Sequence, residues 1–263
     1  MVRVKLLIAV TAAVLAVALT SASAAAAGLN LSWDDCGSHG TQVQAFACDT
    51  NAGQHTMVGS FVAPEGIELM SANEVFMELQ VNAPTIPDWW QVRTGACRPA
   101  STLTGNWDFT AGPYNCYDYW QGGAIGGWVE DAPQFSFPIY SQRIRGVFAL
   151  PTGDLRITSV PPGTEVYSFK LSIKNSKSTG LGACIGCEAG ACIILTDLNI
   201  NQPSPYPPRT FIQLPEGRNY VSWQCITGRI TNEENHPEGL CTFPGCPTPV
   251  RAQSWGQIKQ LYR

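Results

Sequence analysis

Between Glu74 and Val81 apolar residues recur at every second position, placing Val75, Met77, Leu79 and Val81 on one side and predicting a half-buried strand. The same period over Glu165–Lys174 predicts a second strand, with Tyr167, Phe169, Leu171 and Ile173 facing a core and Ser168, Lys170, Ser172 and Lys174 wetted. Shorter β-rich runs cover Leu29–Trp33, Val43–Cys48, Met57–Val62, Trp89–Arg93, Ile144–Leu150, Leu155–Thr158, Cys192–Ile200, Thr210–Leu214 and Asn219–Cys225, and turn residues separate nearly all of them. No amphipathic helical pattern of ordinary length lies between these eleven candidates, and a parallel α/β sheet needs crossover helices. The pattern therefore predicts an all-β fold, antiparallel sheets packed as a β-sandwich of jelly-roll or Greek-key type, with a barrel as the alternative.

Punctuation sets the domain organisation. Gly122-Gly123, Gly126-Gly127, Pro133, Pro138, Pro151 and Pro161-Pro162-Gly163 offer a subdivision near 130–162, yet one sandwich over residues 28–240 is the favoured reading. There is no internal repeat, and the only low-complexity tract is Pro203 to Pro208. Residues 241–263 read as a Pro-rich linker followed by a short helix, capped by Ser254 and carrying Trp255, Ile258, Leu261 and Tyr262 along one side. A helix that short is marginal alone, so this tail is expected to dock on its own domain or on a partner. At the other end, Arg3 and Lys5, the apolar run Leu6–Leu19 and the small residues Ser21 to Ala27 predict a signal peptide over residues 1–27, cleaved after Ala24 or Ala27. Its apolar run is too short for a typical membrane span, and no other window approaches one.

Cleavage would leave about 236 residues, enough to bury a core. Removing Arg3 and Lys5 takes Lys+Arg from 16 to 14 against 20 acids, so the net charge falls from −4 to −6. The only basic clusters are Arg143/Arg145 and Lys170/Lys174/Lys177, which reads against nucleic-acid binding. All ten cysteines lie after the leader: Cys36, Cys48, Cys97, Cys116, Cys184, Cys187, Cys192, Cys225, Cys241 and Cys246. An even count in an exported chain implies disulfides. Sequence leaves the connectivity open; pairing neighbours joins Cys36 to Cys48 and Cys97 to Cys116, puts one bridge inside the Cys184/Cys187/Cys192 group, and links Cys225, Cys241 and Cys246 back to it.

Few constellations carry chemistry. Cys184-Ile-Gly-Cys187 with Cys192 lacks the second C-x-x-C pair of a zinc ribbon, so disulfides are expected there rather than a metal. A strand-like run follows it, which disfavours a redox motif at a helix start. Trp89, Trp90, Trp107, Trp120 and Trp128 crowd one region with Tyr114, Tyr117 and Tyr119. Exposed, these rings could stack on sugars, with Asp88, Asp108, Asp118 or Gln121 taking hydroxyl hydrogen bonds; the favoured reading places them in the core. Adjacent Trp89 and Trp90 would point to opposite faces of a strand. The acidic pairs Asp34/Asp35, Asp49/Asn51, Glu130/Asp131 and Glu233/Glu234 offer oxygens for calcium or a glycosidase pair, with Asx turns between strands as the favoured reading. The one loop-like spacing, Asp49-x-Asn51-x-Gly53, has Gln54 and Ser60 where an EF-hand needs Gly and Glu. His39, His55 and His236 are scattered, neither H-E-x-x-H nor G-x-S-x-G occurs, and Gly180-Leu-Gly182-Ala reads as a turn rather than a phosphate loop.

Two stretches, Leu29-Asn-Leu-Ser-Trp33-Asp-Asp-Cys36-Gly and Trp255-Gly-Gln-Ile-Lys-Gln-Leu-Tyr-Arg263, resemble uncharacterised secreted bacterial proteins, more faintly also at Cys184-x-x-Cys187, Cys192–Ile200 and Asn219–Trp223. The resemblance implies export and a terminal segment used as a tag or docking element, and it carries no catalytic residue. The expectation is a secreted, periplasmic or cell-surface protein that is structural or binds a protein or surface partner, without cofactor, metal or catalysis. A carbohydrate-binding module using the tryptophans is the alternative, and a secreted hydrolase a third reading.

Overall fold

The computed structural model describes residues 28–81, 85–109, 118–130, 141–151, 153, 159–213 and 215–224. The expectations for the leader, the Leu155–Thr158 strand, Cys116, Cys225, Cys241, Cys246 and the tail helix fall outside these residues. The described chain is an all-β sandwich of twelve strands: β1 (Gly28–Trp33), β2 (Val43–Gln44), β3 (Gln54–Val62), β4 (Ala72–Val81), β5 (Leu103–Asn106), β6 (Ile125–Glu130), β7 (Ser141–Ala149), β8 (Glu165–Lys174), β9 (Ala191–Asn201), β10 (Arg209–Ile212), β11 (Pro215–Arg218) and β12 (Tyr220–Trp223). One sheet runs β11-β1-β3-β8-β5 and the other β2-β12-β9-β4-β7-β6, with β10 paired to β9. Both sheets draw strands from either side of residues 131–162.

Pairing is antiparallel except at two short places. The pairs β1–β11 and β2–β12 are parallel. Each of these chain segments passes from the five-stranded to the seven-stranded sheet in the same direction, so neighbours along that crossing must run parallel. The predicted strands over Leu29–Trp33, Met57–Val62, Glu74–Val81, Glu165–Lys174, Ile144–Leu150 and Cys192–Ile200 lie within β1, β3, β4, β8, β7 and β9 to within a residue. Three strands had no forecast, β5, β6 and β11, and all three are sheet edges. Edge strands bury little, so their sequences (Leu-Thr-Gly-Asn, a strand broken by Gly126-Gly127, and one opening on Pro215) carry no alternation.

The core lies between the sheets, where Leu29, Leu31, Met57, Phe169, Leu171 and Ile173 meet Val75, Met77, Leu79, Ile193, Leu195 and Leu198. Val75, Met77, Leu79 and Val81 are buried as the alternation predicts. The lysine side of β8 differs from expectation: Ser168, Lys170 and Ser172 are buried. The ladder with β3 slips between Gly59 and Ser60, which pair with Phe169 and Tyr167, so Ser168 is an extra residue and the inward phase reverses there. Ser168 then faces the interior, accepting a 2.8 Å hydrogen bond from Asn73 Nδ2 and one from Trp120 Nε1 to its carbonyl at 2.9 Å. Tyr167 turns outward, its hydroxyl donating to Glu165. Gly59 sits at the slip because a Cβ there would run into the Phe169 ring.

Candidate functional site

The five tryptophans separate into two groups and form no common exposed platform. The run Trp89–Arg93 is not a strand. Pro87 is followed by one tight helical turn, Asp88–Trp90, and that turn lets both adjacent indoles point inward, to 0% and 3% exposure. They pack with Trp223 at ring distances of 5.0 and 5.3 Å, and Trp223 in turn packs against Trp33 and Phe46. At the opposite side Trp120 (0% exposed), Trp107 and Trp128 surround Phe148, with Trp128 also 4.9 Å from Phe169. The N–H groups of Trp33, Trp89, Trp120 and Trp223 donate to Ser222 O, Ser178 Oγ, Ser168 O and Cys187 O at 2.8–2.9 Å, and that of Trp107 to Ala124 O. Such partners are what a buried indole requires.

The pairings expected for Cys36 with Cys48, for Cys97 with Cys116 and inside the Cys184/Cys187/Cys192 group are overturned. Cys48 joins Cys187 and Cys97 joins Cys184, across sequence separations of 139 and 87, while Cys36 and Cys192 are also disulfide-bonded. Folding brings the loops at one end of the sandwich together, so spatial neighbours replace sequence neighbours. Both described bridges converge on the loop joining β8 to β9. Further bonds hold that loop: Asn51 exchanges hydrogen bonds with Thr179 in both directions at 3.0 and 3.1 Å, Cys184 N–H donates to Lys177 O at 2.9 Å, and Trp89 N–H donates to Ile185 O at 2.9 Å. Gly186, at φ +111°, occupies a conformation closed to most side chains, and a Cβ there would strike Pro87. On this loop Leu181 is fully exposed and Ile185 is 80% exposed. The Gly180-Leu-Gly182 run was legible only as a turn; an aliphatic residue isolated among glycines beside cysteines was the available signal.

The same loop rests on the segment from Ile86 to Thr102, whose centre is Arg98. This guanidinium is 0% exposed, stacks 3.7 Å above the Trp89 ring, and donates to Trp89 O at 2.8 Å and to Lys174 O. Burial holds its pKa down at about 9, with Glu130 raising it, so it is charged at neutral pH. Glu130, at the end of β6, accepts the Val92 N–H. Burial pushes its carboxyl up to about 7 from 4.5, against the Val92 amide and the charges of Arg93 and Arg98. The native state therefore keeps a proton that the unfolded chain loses, so stability falls as pH rises from about 4.5 to about 7 and is level above. Glu130→Gln keeps the acceptor and removes this titration. Urea unfolding at pH 4 and pH 8 should show the variant equal to wild type at the lower pH and about 3 kcal/mol more stable at the higher.

The remaining candidates are dispersed. Asn51 of the calcium-like spacing is used to hold Thr179, and no group of three His, Cys, Asp or Glu residues placed for a metal occurs among the described residues. Asp35 accepts the Cys36 N–H at 2.8 Å, Asp118 accepts the Gly122 N–H at 2.8 Å, and Glu165 accepts from Ser60 at 2.7 Å. His55 stacks on Phe46 at 3.9 Å, and burial holds its imidazole below the usual value. Asp131, Glu233, Glu234 and His236 lie outside the described residues. No helix among the described residues is long and apolar enough to cross a membrane.

No protein-family model matches the chain, and no curated protein matches it. Among solved structures the chain is similar to the sixth cohesin of scaffoldin B from Acetivibrio cellulolyticus, crystallised with a Cel5 dockerin, at 12% identity and a TM-score of 0.31 over 71% of this chain and 99% of that one. It is also similar to the seventh ScaB type I cohesin from Pseudobacteroides cellulosolvens, at 10% identity and a TM-score of 0.28 over 80% and 97%. A third, the third cohesin ScaC in complex with the ScaB dockerin from Acetivibrio cellulolyticus, stands at 11% identity and a TM-score of 0.25 over 71% and 99%. No residue role passes from those proteins to this one.

Proposed function

We propose that this protein is an exported, non-catalytic interaction protein of the cell surface or envelope, and that it docks through the loop between β8 and β9. The observation that carries the reading is the exposure of Leu181 and Ile185 on a loop fixed by the Cys97–Cys184 and Cys48–Cys187 bridges. Exposed aliphatic side chains on a mobile loop would lose ordering entropy on binding; a loop already fixed loses little, so more of the contact energy appears as affinity. Disulfides fit an oxidising compartment, in line with the leader-like residues 1–27. The non-catalytic part is supported by the use of Asp35, Asp118, Glu130 and Glu165 in hydrogen bonds that hold the backbone or neighbouring strands.

The test compares wild type with Leu181→Asp/Ile185→Asp in saturation binding of labelled protein to the envelope fraction of the exporting cells. The expected outcome is saturable wild-type retention and at least tenfold weaker retention of the variant at an unchanged melting temperature. Equal retention of the two proteins would defeat the docking assignment, and turnover of a hydrolase substrate by the purified protein would defeat the non-catalytic one.

A further inference from the structure

The outward face of the five-stranded sheet carries a row of hydroxyl groups that the docking loop does not use. Thr56 on β3, Ser172 on β8 and Thr104 on β5 are directly opposite one another across three adjacent strands. Strand spacing sets such neighbours roughly 5 Å apart. The Thr56 and Ser172 hydroxyls are 2.7 Å apart, and Gln54 Nε2 reaches Ser172 Oγ at 3.5 Å. With Gln54 and Asn106 at its two ends and Lys170 beside Ser172, this row lines a cavity of about 260 Å³. Lys170 and Ser172 are more than nine-tenths buried although they face outward, so the floor of the cavity is built rather than a chance of surface side chains.

We propose that this groove binds a neutral polyhydroxylated ligand, a single hexose unit of a glycan chain. The chemistry follows from the lining. Hydroxyls donate and accept at once, the Gln54 amide presents a donor and an acceptor, and Asn106, whose Oδ1 accepts the Asp108 N–H at 2.7 Å, presents its Nδ2 donors, the complement of adjacent sugar hydroxyls. Charge does not call for an anion: the Lys170 ammonium, the one charge in the lining, donates to Asp108 O, and Lys174 Nζ is engaged with Ser101 O at 3.0 Å. Size selects one ring, since the volume lies below the usual range for pockets that enclose larger small molecules. The site differs from the tryptophan platform considered from sequence, whose rings are largely core residues. It also does not rest on the docking loop, which is built on other residues.

Titration of isotope-labelled protein with cellohexaose, maltohexaose and mannohexaose, followed by amide shifts, tests the assignment. The expected result is saturable shifts concentrated at residues 54–56, 104–106 and 170–172 with at least one of the three sugars. Thr104→Trp, which fills the groove from its β5 side, should weaken that binding at least tenfold, and Gln54→Ala/Asn106→Ala should also weaken it without displacing the shifts of the core. The Leu181→Asp/Ile185→Asp variant should bind the sugar as wild type does, which separates this result from that of the docking experiment. Silence with all three sugars at 10 mM, shifts insensitive to both groove variants, or a response to heparin and to none of the neutral sugars would each overturn it.

Discussion

Replacing Cys97 and Cys184 together by serine should lower stability by about 4 kcal/mol, read as a fall of about 10 °C in melting temperature. The size follows from nesting. Taken alone the bridge closes a separation of 87 residues, but the Cys48–Cys187 bridge, with its separation of 139, encloses it. With the outer bridge intact, the inner pair is already linked by the shorter route from Cys97 back to Cys48 and from Cys187 to Cys184. The loop-closure entropy that remains to be removed is correspondingly smaller than for an isolated bridge. Removing both bridges should cost about 9 kcal/mol on the same chain-entropy argument, a value comparable to the whole stability of an ordinary domain. Chemical denaturation of the single and double variants under oxidising conditions measures both effects. Additive losses equal to two isolated loops would contradict the nesting.

Arg98→Met should destabilise by about 3 kcal/mol at neutral pH. Methionine approximates the length of the stem and keeps contact with the Trp89 ring, so the loss isolates the guanidinium. The buried carbonyl of Trp89 and the part-buried carbonyl of Lys174 lose charge-assisted donors, and the cation stacked on the indole disappears. Set against this is relief of the desolvation that holds the Arg98 pKa at about 9, which keeps the net cost below the sum of the lost bonds. Glu130 should respond as well. With one of its two positive neighbours gone its carboxyl rises further, so the fall in stability with rising pH continues above pH 7 in the variant. Adding Glu130→Gln to Arg98→Met should abolish that extension, and denaturation curves between pH 5 and pH 9 would reveal it.

Interior strands were legible because each is specified by its own residues. Val75, Met77, Leu79 and Val81 must all reach one face, and a period of two is the only way for adjacent residues to do so. The same reasoning misassigned Tyr167, because the bulge at Ser168 is set by the partner strand, where Gly59 opens room for the Phe169 ring. Alternation within β8 contains no trace of that partner. The tryptophan crowding was visible as composition, whereas its division depends on which segments meet in space: Trp89 with Trp223, more than a hundred positions on, and Trp128 of one sheet with Phe169 of the other. Neither candidate site was read from sequence as such: Leu181 lay in a stretch taken for a turn, and Thr56, Thr104 and Ser172 are unremarkable singly.

Local sequence determined the all-β class, the interior strands and the abundance of cysteine and tryptophan, since each follows from side-chain period or residue type within a short window. Tertiary structure alone decided the disulfide partners, the edge strands, the reversed phase of β8 and the hydroxyl row across β3, β8 and β5. These depend on which segments become neighbours when the two sheets close on each other, a condition that long-range burial satisfies and no local pattern encodes.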